Sequence, residues 1–102
     1  MTVKKTVSNS GKEIKISIEE RFDFSLHQEF RDAYSSEEAQ GGRFELDLSN
    51  TSYMDSSALG MILLLKDHAE KFGGTVVIQR PNEAVNKILE IAQFHRLLTI
   101  EA

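Results

Sequence analysis

Three consecutive polar residues, Asp55-Ser56-Ser57, are the part of the sequence best suited to chemistry. Aspartate and serine are both favoured at the start of a helix, where they accept hydrogen bonds from free backbone N–H groups. Those N–H groups and the positive end of the helix dipole also favour an anion. A phosphate on Ser56 would add about −1.5 to −2 charges there. The local pattern therefore leaves two interpretations open, a helix cap and a phosphorylation site that the first-turn N–H groups could accommodate.

The same serine could instead be the nucleophile of an enzyme, which needs a base within hydrogen-bond reach. The chain has three histidines, His27, His68 and His95, but no Gly-x-Ser-x-Gly nucleophile elbow. His68 lies about 18 Å beyond Ser56 if both are on one helix with the usual rise per residue. We therefore predict that the chain is not an enzyme. Because the histidines are widely spaced and cysteine is absent, no metal or other cofactor is expected.

The composition indicates one ordinary globular domain spanning residues 1–102. Hydrophobic residues make up 40% of the chain and charged residues 27%, a balance that suits one buried core. The net charge is −4 and no segment carries a Lys/Arg stripe, so nucleic acid is not an expected partner. No apolar run approaches the roughly 18 residues of a membrane span, and no secretory signal is visible. We expect a cytoplasmic protein without direct membrane contact.

The strands are predicted from hydrophobic alternation. Residues 2–8 and 13–19 are predicted to form a hairpin, joined by the turn-forming residues Asn9-Ser10-Gly11. Further strands are predicted over residues 44–48, 75–79 and 97–100. The β-branched strand at 75–79 lacks polar alternation and is expected to be central and covered on both faces. Residues 49–55 are predicted to be loop.

Three helices are predicted between these strands. One begins at the capping residue Ser25 and ends near residue 36; a long one runs over residues 56–72 and stops at Gly73-Gly74. Asn82 is predicted to cap a short third helix. The order β, β, α, β, α, β, α and a final β predicts an α/β fold, with a mixed, largely parallel sheet of four to five strands and helices packed on it.

The first half of the long helix is apolar almost all round. Its core stripe is predicted to be Ala58, Ile62, Leu65, Ala69 and Phe72. Four further apolar residues lie outside that stripe: Leu59, Met61, Leu63 and Leu64. Either the helix is buried deeply between the sheet and a neighbouring element, or Leu63 or Leu64 belongs to an exposed apolar patch for a partner.

The stretch Tyr53-Met54-Asp55-Ser56-Ser57-Ala58-Leu59-Gly60 resembles the signature of the STAS-domain family, in particular of its bacterial anti-sigma factor antagonists. The segments at 44–49, 73–78 and 85–100 match as well, so the resemblance covers nearly the whole chain and implies a single STAS domain. In that family the serine directly after the aspartate is the phosphoacceptor, which is Ser56 here, and Ser57 is its neighbour.

A second motif of the family is represented by Glu20-Arg21-Phe22-Asp23. Its aspartate lies near the phosphoacceptor in the family, which makes Asp23 a second expected site residue. Three residues depart from the family pattern. Glu20 stands where glycine is usual, Ala58 where glycine is common, and Thr51 where an apolar residue is usual.

The resemblance implies a protein that switches partners. The unphosphorylated form would bind an anti-sigma factor and so release a sigma factor. A serine kinase, often the anti-sigma factor itself, would phosphorylate Ser56 and end that binding, and a PP2C-type phosphatase would restore it. ATP and Mg²⁺ would belong to the kinase, and the free chain is expected to be a monomer. The expected partner-binding residues are Asp23, Asp55, Ser56, Ser57, Leu59, Leu63 and Leu64.

A second role remains open for the same fold. Lone STAS domains also serve as subunits of membrane transport assemblies, for instance in bacterial lipid trafficking, where the serine need not be phosphorylated. The intact Asp55-Ser56-Ser57 favours the phosphoswitch, whereas co-purification with an ABC ATPase would favour the transport role.

Overall fold

The structure is a computed structural model that describes residues 3–37 and 41–101. Its strands are β1 (Val3–Val7), β2 (Glu13–Ile18), β3 (Glu20–Phe22), β4 (Arg43–Asp47), β5 (Thr51–Met54), β6 (Thr75–Gln79) and β7 (Thr99–Glu101). Its α-helices are α1 (His27–Ser35), α2 (Ser56–Lys71) and α3 (Glu83–Ile91), and short 3₁₀ turns cover Phe24–Leu26 and Phe94–Arg96. The predicted α/β class is confirmed. Part of the polar segment between α1 and β4 lies outside the described residues.

Five strands form the main sheet, in the order β1-β2-β4-β6-β7. The predicted hairpin is present, since β1 runs antiparallel to β2 and pairs Val3 with Ile18. The other neighbouring strands are parallel. Gly11 in the hairpin turn has a φ of 74°, a conformation that glycine adopts without a steric penalty. The mixed, largely parallel sheet is therefore as predicted.

The two faces of the main sheet differ in what covers them. Buried side chains from all three α-helices join one core with the aligned residues Ile14, Phe44 and Val76. Val77 is also buried but faces the other way, where its register neighbours are Glu45 and Thr99. The prediction that strand 75–79 is covered on both faces is thus right about burial. On the second face, however, Val77 does not belong to the core that the helices cover.

The prediction that residues 49–55 are loop is wrong. This segment contains β5, which pairs in parallel with β3 to form a separate two-stranded sheet. Its burial pattern does not alternate, because Thr51 and Met54 are buried while Ser52 and Tyr53 between them are both exposed. A search for period-two hydrophobicity therefore fails on this strand.

Glu20 begins β3 in a left-handed backbone conformation, with a φ of 66°. The ladder between β3 and β5 shifts register at this point, between Glu20 and Arg21. Glycine adopts positive φ values freely, whereas other residues pay a steric cost. The STAS pattern usually has glycine at this position, and the positive φ explains that preference, because glycine adopts this conformation without a steric cost.

A buried threonine ties β5 to its surroundings. The Thr51 hydroxyl donates to the carbonyl of Ile18 at 2.8 Å, and the Thr51 carbonyl accepts from Nδ2 of Asn82 at 2.9 Å. Asn82 caps α3, as predicted, because its Oδ1 accepts from the N–H of Val85 at 2.8 Å. The polar side chain at position 51 is therefore satisfied and links β5 to β2, while the main-chain carbonyl of Thr51 links β5 to the cap of α3.

The long helix α2 follows its predicted course. Four members of the expected core stripe are buried, namely Ala58, Ile62, Leu65 and Ala69, while Phe72 is only half-buried. The helix stops at Gly73, whose φ is 73°, and the N–H of Gly74 closes the last turn on the carbonyl of Ala69 at 2.8 Å. Within the two described ranges, no helix combines the length and apolarity that crossing a membrane requires.

Candidate functional site

Two parallel strands end side by side at the start of α2. The ladder between β3 and β5 pairs Phe22 with Met54, and the N–H of Asp55 donates to the carbonyl of Phe22 at 3.4 Å. The next residue of each strand is an aspartate, Asp23 or Asp55. The structure therefore brings together the two aspartates that the sequence predicted at the site, although neither of the strands that do so was predicted.

Asp55 is the N-cap of α2. Its Oδ1 accepts hydrogen bonds from the N–H groups of Ser57 and Ala58, at 3.0 and 3.2 Å, and from the Ser57 hydroxyl at 2.6 Å. Ser56 is accordingly the first residue of the helix. Ala58 is fully buried beneath this turn, where its methyl group fills core space that a glycine would leave empty.

The two adjacent serines differ in how their hydroxyls are used. Ser57 is half-buried and its hydroxyl is held by Asp55. Ser56 is exposed, and among the described residues none forms a hydrogen bond with its hydroxyl. A modifying enzyme must reach the oxygen that it modifies. Ser56 meets this requirement better than Ser57, because it is exposed and the described residues do not hydrogen-bond its hydroxyl.

In the unmodified chain, the first-turn N–H groups that were expected to favour a phosphate already have a competing acceptor. Asp55 already occupies the N–H groups of Ser57 and Ala58. A phosphate on Ser56 would be added at an exposed position, at the strand ends that also carry Asp55 and Asp23. The negative charge of the phosphate would add to the negative charges of these two aspartates. The modification would therefore change the surface charge strongly without needing any rearrangement of the cap.

Asp23 caps the 3₁₀ turn that precedes α1, so the prediction that Ser25 is the N-cap is wrong. Asp23 Oδ1 accepts from the N–H of Ser25 at 3.0 Å and from its hydroxyl at 2.5 Å. The hydrogen bond from the Ser25 hydroxyl, helped by the Arg21 guanidinium, holds the pKa of Asp23 below its ordinary value despite an opposing contribution from desolvation. Asp23 is therefore a carboxylate at neutral pH, and α1 proper begins only at His27.

Arg21 and Tyr53 lie next to each other on the exposed face of the small sheet. The guanidinium carbon of Arg21 lies 4.6 Å from the centre of the Tyr53 ring, and its Nε lies 3.3 Å from Oδ2 of Asp23. Sequence reasoning did not select either residue for binding. Their contact crosses between β3 and β5, so it can be foreseen only once that strand pair is known.

Part of α2 presents apolar side chains to solvent. Leu63 is 38% exposed and Leu64 is 58% exposed. At about 100° per residue, Ser56, Gly60 and Leu63 fall within an arc of about 60° on the helix surface. Leu64 borders a groove between α1 and α2 that His27 also lines. Leu59, in contrast, is half-buried and packs against the core, so its expected place on a binding surface has no support from its exposure.

His68 lies far along α2 from Ser56, in an aromatic cluster. Its ring centre is 5.1 Å from that of Tyr34, 5.8 Å from that of Phe44 and 5.1 Å from that of Phe72. Its Nε2 lies 2.5 Å from the carbonyl oxygen of Glu37. The ring thus packs between α1 and α2. In residues 3–37 and 41–101, no three His, Cys, Asp or Glu side chains are grouped as a metal site would require.

Comparisons with known proteins identify the family to which the chain is similar. A family model described as "Mlab, STAS domain" matches residues 6–99. A STAS-domain containing protein from Pseudomonas aeruginosa (strain UCBPP-PA14) is 43% identical over 100 residues, which make up 98% of this chain and 99% of that protein.

Several solved structures share the fold at low sequence identity. A proposed anti-sigma factor antagonist from Thermotoga maritima has a TM-score of 0.83 and 18% identity, over 98% of this chain and 86% of that one. The Bacillus cell fate determinant SpoIIAA in its phosphorylated form has a TM-score of 0.73 and 17% identity, over 98% and 91%. A sulfate transporter family protein from Wolinella succinogenes has a TM-score of 0.78 and 17% identity, over 95% and 80%.

Proposed function

The chain belongs to the STAS-domain family, and on that premise we propose that it is an anti-sigma factor antagonist controlled by phosphorylation of Ser56. The unphosphorylated form binds an anti-sigma factor in the cytoplasm and so frees a sigma factor. A serine kinase, which can be the anti-sigma factor itself, ends this binding, and a PP2C-type phosphatase restores it. The role is binding rather than catalysis, and the free chain is a monomer.

The observation that carries this proposal is the difference between Ser56 and Ser57. The exposed Ser56 hydroxyl is not engaged by the described residues, whereas Asp55 holds that of Ser57. The chain supplies this acceptor oxygen, which bonds to the γ-phosphorus as the bond between the β- and γ-phosphates of ATP breaks. The kinase supplies ATP, Mg²⁺ and the base that takes the hydroxyl proton.

The partner surface follows from what lies on the same side as Ser56. Gly60 and Leu63 share its face of α2, and Asp23 and Asp55 flank the start of the helix. A partner that covers this face must remove water from the Ser56 side chain. Desolvating a phosphate costs far more free energy than desolvating a hydroxyl, because charged groups are the most strongly hydrated. Phosphorylation therefore opposes binding even though the fold is unchanged.

A pull-down from a lysate of the source organism tests the proposal, with wild type, Ser56→Ala and Ser56→Asp as baits. We expect wild type and Ser56→Ala to capture an anti-sigma factor, and Ser56→Asp to capture much less. Ser10→Asp is the matched control, because it adds the same charge at another exposed serine. Ser10 lies in the β1–β2 turn, which precedes the start of β2, whereas Ser56 follows the end of β5. Equal capture by Ser56→Asp and Ser10→Asp would contradict the phosphoswitch.

The second candidate function is that of a subunit in a membrane transport assembly. The observation that favours this role is the structural similarity to a sulfate transporter family protein. In that case, all four baits would recover a transport ATPase or permease in similar amounts, since no phosphorylation of Ser56 would be involved. The same pull-down therefore separates the two roles.

A further inference from the structure

The two strand ends at the site carry the same capping arrangement twice. In Asp23-Phe24-Ser25, the aspartate Oδ1 accepts from the serine N–H at 3.0 Å and from the serine hydroxyl at 2.5 Å. In Asp55-Ser56-Ser57, the corresponding distances are 3.0 and 2.6 Å. Each cap follows directly on one strand of the β3–β5 pair. The middle residues of the two caps, Phe24 and Ser56, therefore occupy equivalent positions on adjacent strand ends.

Phe24 is displayed to solvent rather than packed. It is 62% exposed, and its ring stacks on His27 with the ring centres 4.4 Å apart and the planes 7° from parallel. The cap itself uses the polar groups of Asp23 and Ser25, so it does not require an aromatic residue between them. His27 and Leu64 line one groove, which connects Phe24 with the exposed apolar part of α2.

We infer that Phe24 is an anchor of the partner surface, which inserts into an apolar pocket on a partner protein beside Ser56. This inference rests on the proposed function and adds to it a residue outside α2. Aromatic side chains are frequent anchors because they bury a large apolar area at a small cost in side-chain entropy. Phe24, Ser56 and Leu64 then bind the same partner from two separate elements, the 3₁₀ turn Phe24–Leu26 and α2.

The charge around Phe24 selects a different protein as the occupant, rather than a second copy of this chain or an anionic membrane. Asp23, whose pKa is lowered chiefly by the hydrogen bond from the Ser25 hydroxyl, carries its charge next to Phe24, and Asp55 follows the neighbouring strand. Two copies that met through this surface would oppose acidic groups of the same kind, although Arg21, whose Nε lies 3.3 Å from Oδ2 of Asp23, offsets part of that charge. The net charge of −4 adds to that repulsion.

The position of Phe24 also gives phosphorylation a second route to block binding. A phosphate on Ser56 retains its water, and Phe24 occupies the equivalent position on the adjacent strand end. The ring can be buried in a pocket only if water leaves both positions. Phosphorylation of Ser56 therefore withdraws the apolar anchor together with the polar contact, although Phe24 itself is not modified.

The experiment measures the Kd of purified variants by isothermal titration calorimetry. The titrant is the protein that wild type captures most abundantly in the pull-down, purified after its identification by mass spectrometry. We expect Phe24→Ala to weaken binding about tenfold or more. Phe24→Tyr should stay within a few-fold of wild type, because it keeps the ring. Ile91→Ala, a control on α3 at a residue that is 75% exposed, should bind as wild type does.

The outcomes separate this inference from the proposed function. If Ser56→Asp loses binding while Phe24→Ala keeps the wild-type Kd, the inference is overturned and the phosphoswitch stands. If Phe24→Ala loses binding while Ser56→Asp keeps it in the titration, the anchor is supported and the switch is overturned. Two results on the chain alone would overturn the choice of a different protein as the occupant. One is self-association in sedimentation equilibrium that Phe24→Ala abolishes. The other is flotation with phosphatidylglycerol vesicles that Phe24→Ala abolishes. Thermal unfolding of Phe24→Ala close to that of Ile91→Ala shows that the fold is intact.

Discussion

The Ser57 hydroxyl donates to Oδ1 of Asp55 at 2.6 Å, and this bond gives the two serines of the motif different roles. Ser57 lies where the cap can hold it, whereas Ser56, one residue earlier, points to solvent. The sequence pattern alone allows either serine to be modified, and only the resemblance to a family favours Ser56. The cap geometry supplies a physical reason for the same choice.

Exchanging each serine for alanine should separate stability from modification. Ser57→Ala loses the hydroxyl bond to Asp55 but keeps the backbone N–H bond, so we expect the free energy of unfolding to fall by about 0.5 to 1.5 kcal/mol. Ser56→Ala should leave stability nearly unchanged. Incubation with the kinase and ATP should label Ser57→Ala but not Ser56→Ala, as measured by intact mass. The reverse pattern would move the phosphoacceptor to Ser57.

Thr51 offers a test of how β5 is held in place. In Thr51→Val the carbonyl of Ile18 loses its buried donor, and an unsatisfied buried polar group costs about 1 to 3 kcal/mol. We expect urea denaturation to show a loss of stability of this size. Thr51→Ser, which keeps the hydroxyl, should be less affected than Thr51→Val. A valine variant as stable as wild type would mean that the hydrogen bond contributes nothing.

Gly60 should be a site where a substitution stabilises the free chain. A Cβ added there would meet no atom within 4 Å in the described part of the chain outside its own helix backbone, and the residue lies inside α2. Glycine in a helix interior is less favourable than alanine by about 0.5 to 1 kcal/mol, so Gly60→Ala should be more stable by about that amount. Gly42→Ala is the opposite control, because its Cβ would lie 2.0 Å from the carbonyl oxygen of Lys12. Urea unfolding should give these two variants changes of opposite sign.

The acid stability of the fold should depend on Asp47, which is 8% exposed. Burial alone would raise its pKa, but hydrogen bonds from Ser49 and the charges of Arg80 and Lys15 outweigh it, so the pKa lies below the ordinary value of an aspartate. A carboxyl with a lowered folded pKa stabilises the fold fully above its unfolded pKa, and this contribution is lost as the pH falls through the folded pKa. In urea titrations between about pH 5 and pH 2, Asp47→Asn should therefore lose less stability than wild type. Parallel losses would exclude this role.

The elements that were predicted correctly from sequence are those with a strong local signal. The isoleucines of β2 alternate, α2 carries a regular apolar stripe, and Gly73 ends it with a positive φ. The pair β3–β5 was missed because each strand is short and neither alternates in burial. The backbone strain at Glu20 was also not visible, since a positive φ leaves no mark in a sequence that has glutamate there.

Only the part of the site with a local sequence signal could be predicted without the family motif. Asp55 and Ser56 stand next to each other in the chain, so local reasoning finds them. Asp23 was selected only through the family motif, because it reaches Asp55 through the pairing of β3 with β5. Phe24 gave no signal, since a single aromatic residue in a sequence does not show whether it is buried. Its equivalence to Ser56 becomes visible only when both caps are compared in three dimensions.

The most direct test of the central claim compares the two forms of the native chain. The chain is phosphorylated completely on Ser56, as verified by mass spectrometry, and its Kd for the purified anti-sigma factor is measured beside that of the unmodified chain. The two forms should have the same thermal stability. We predict that phosphorylation weakens binding by at least about tenfold, a loss of about 1.4 kcal/mol. Equal Kd values for the two forms would contradict the account.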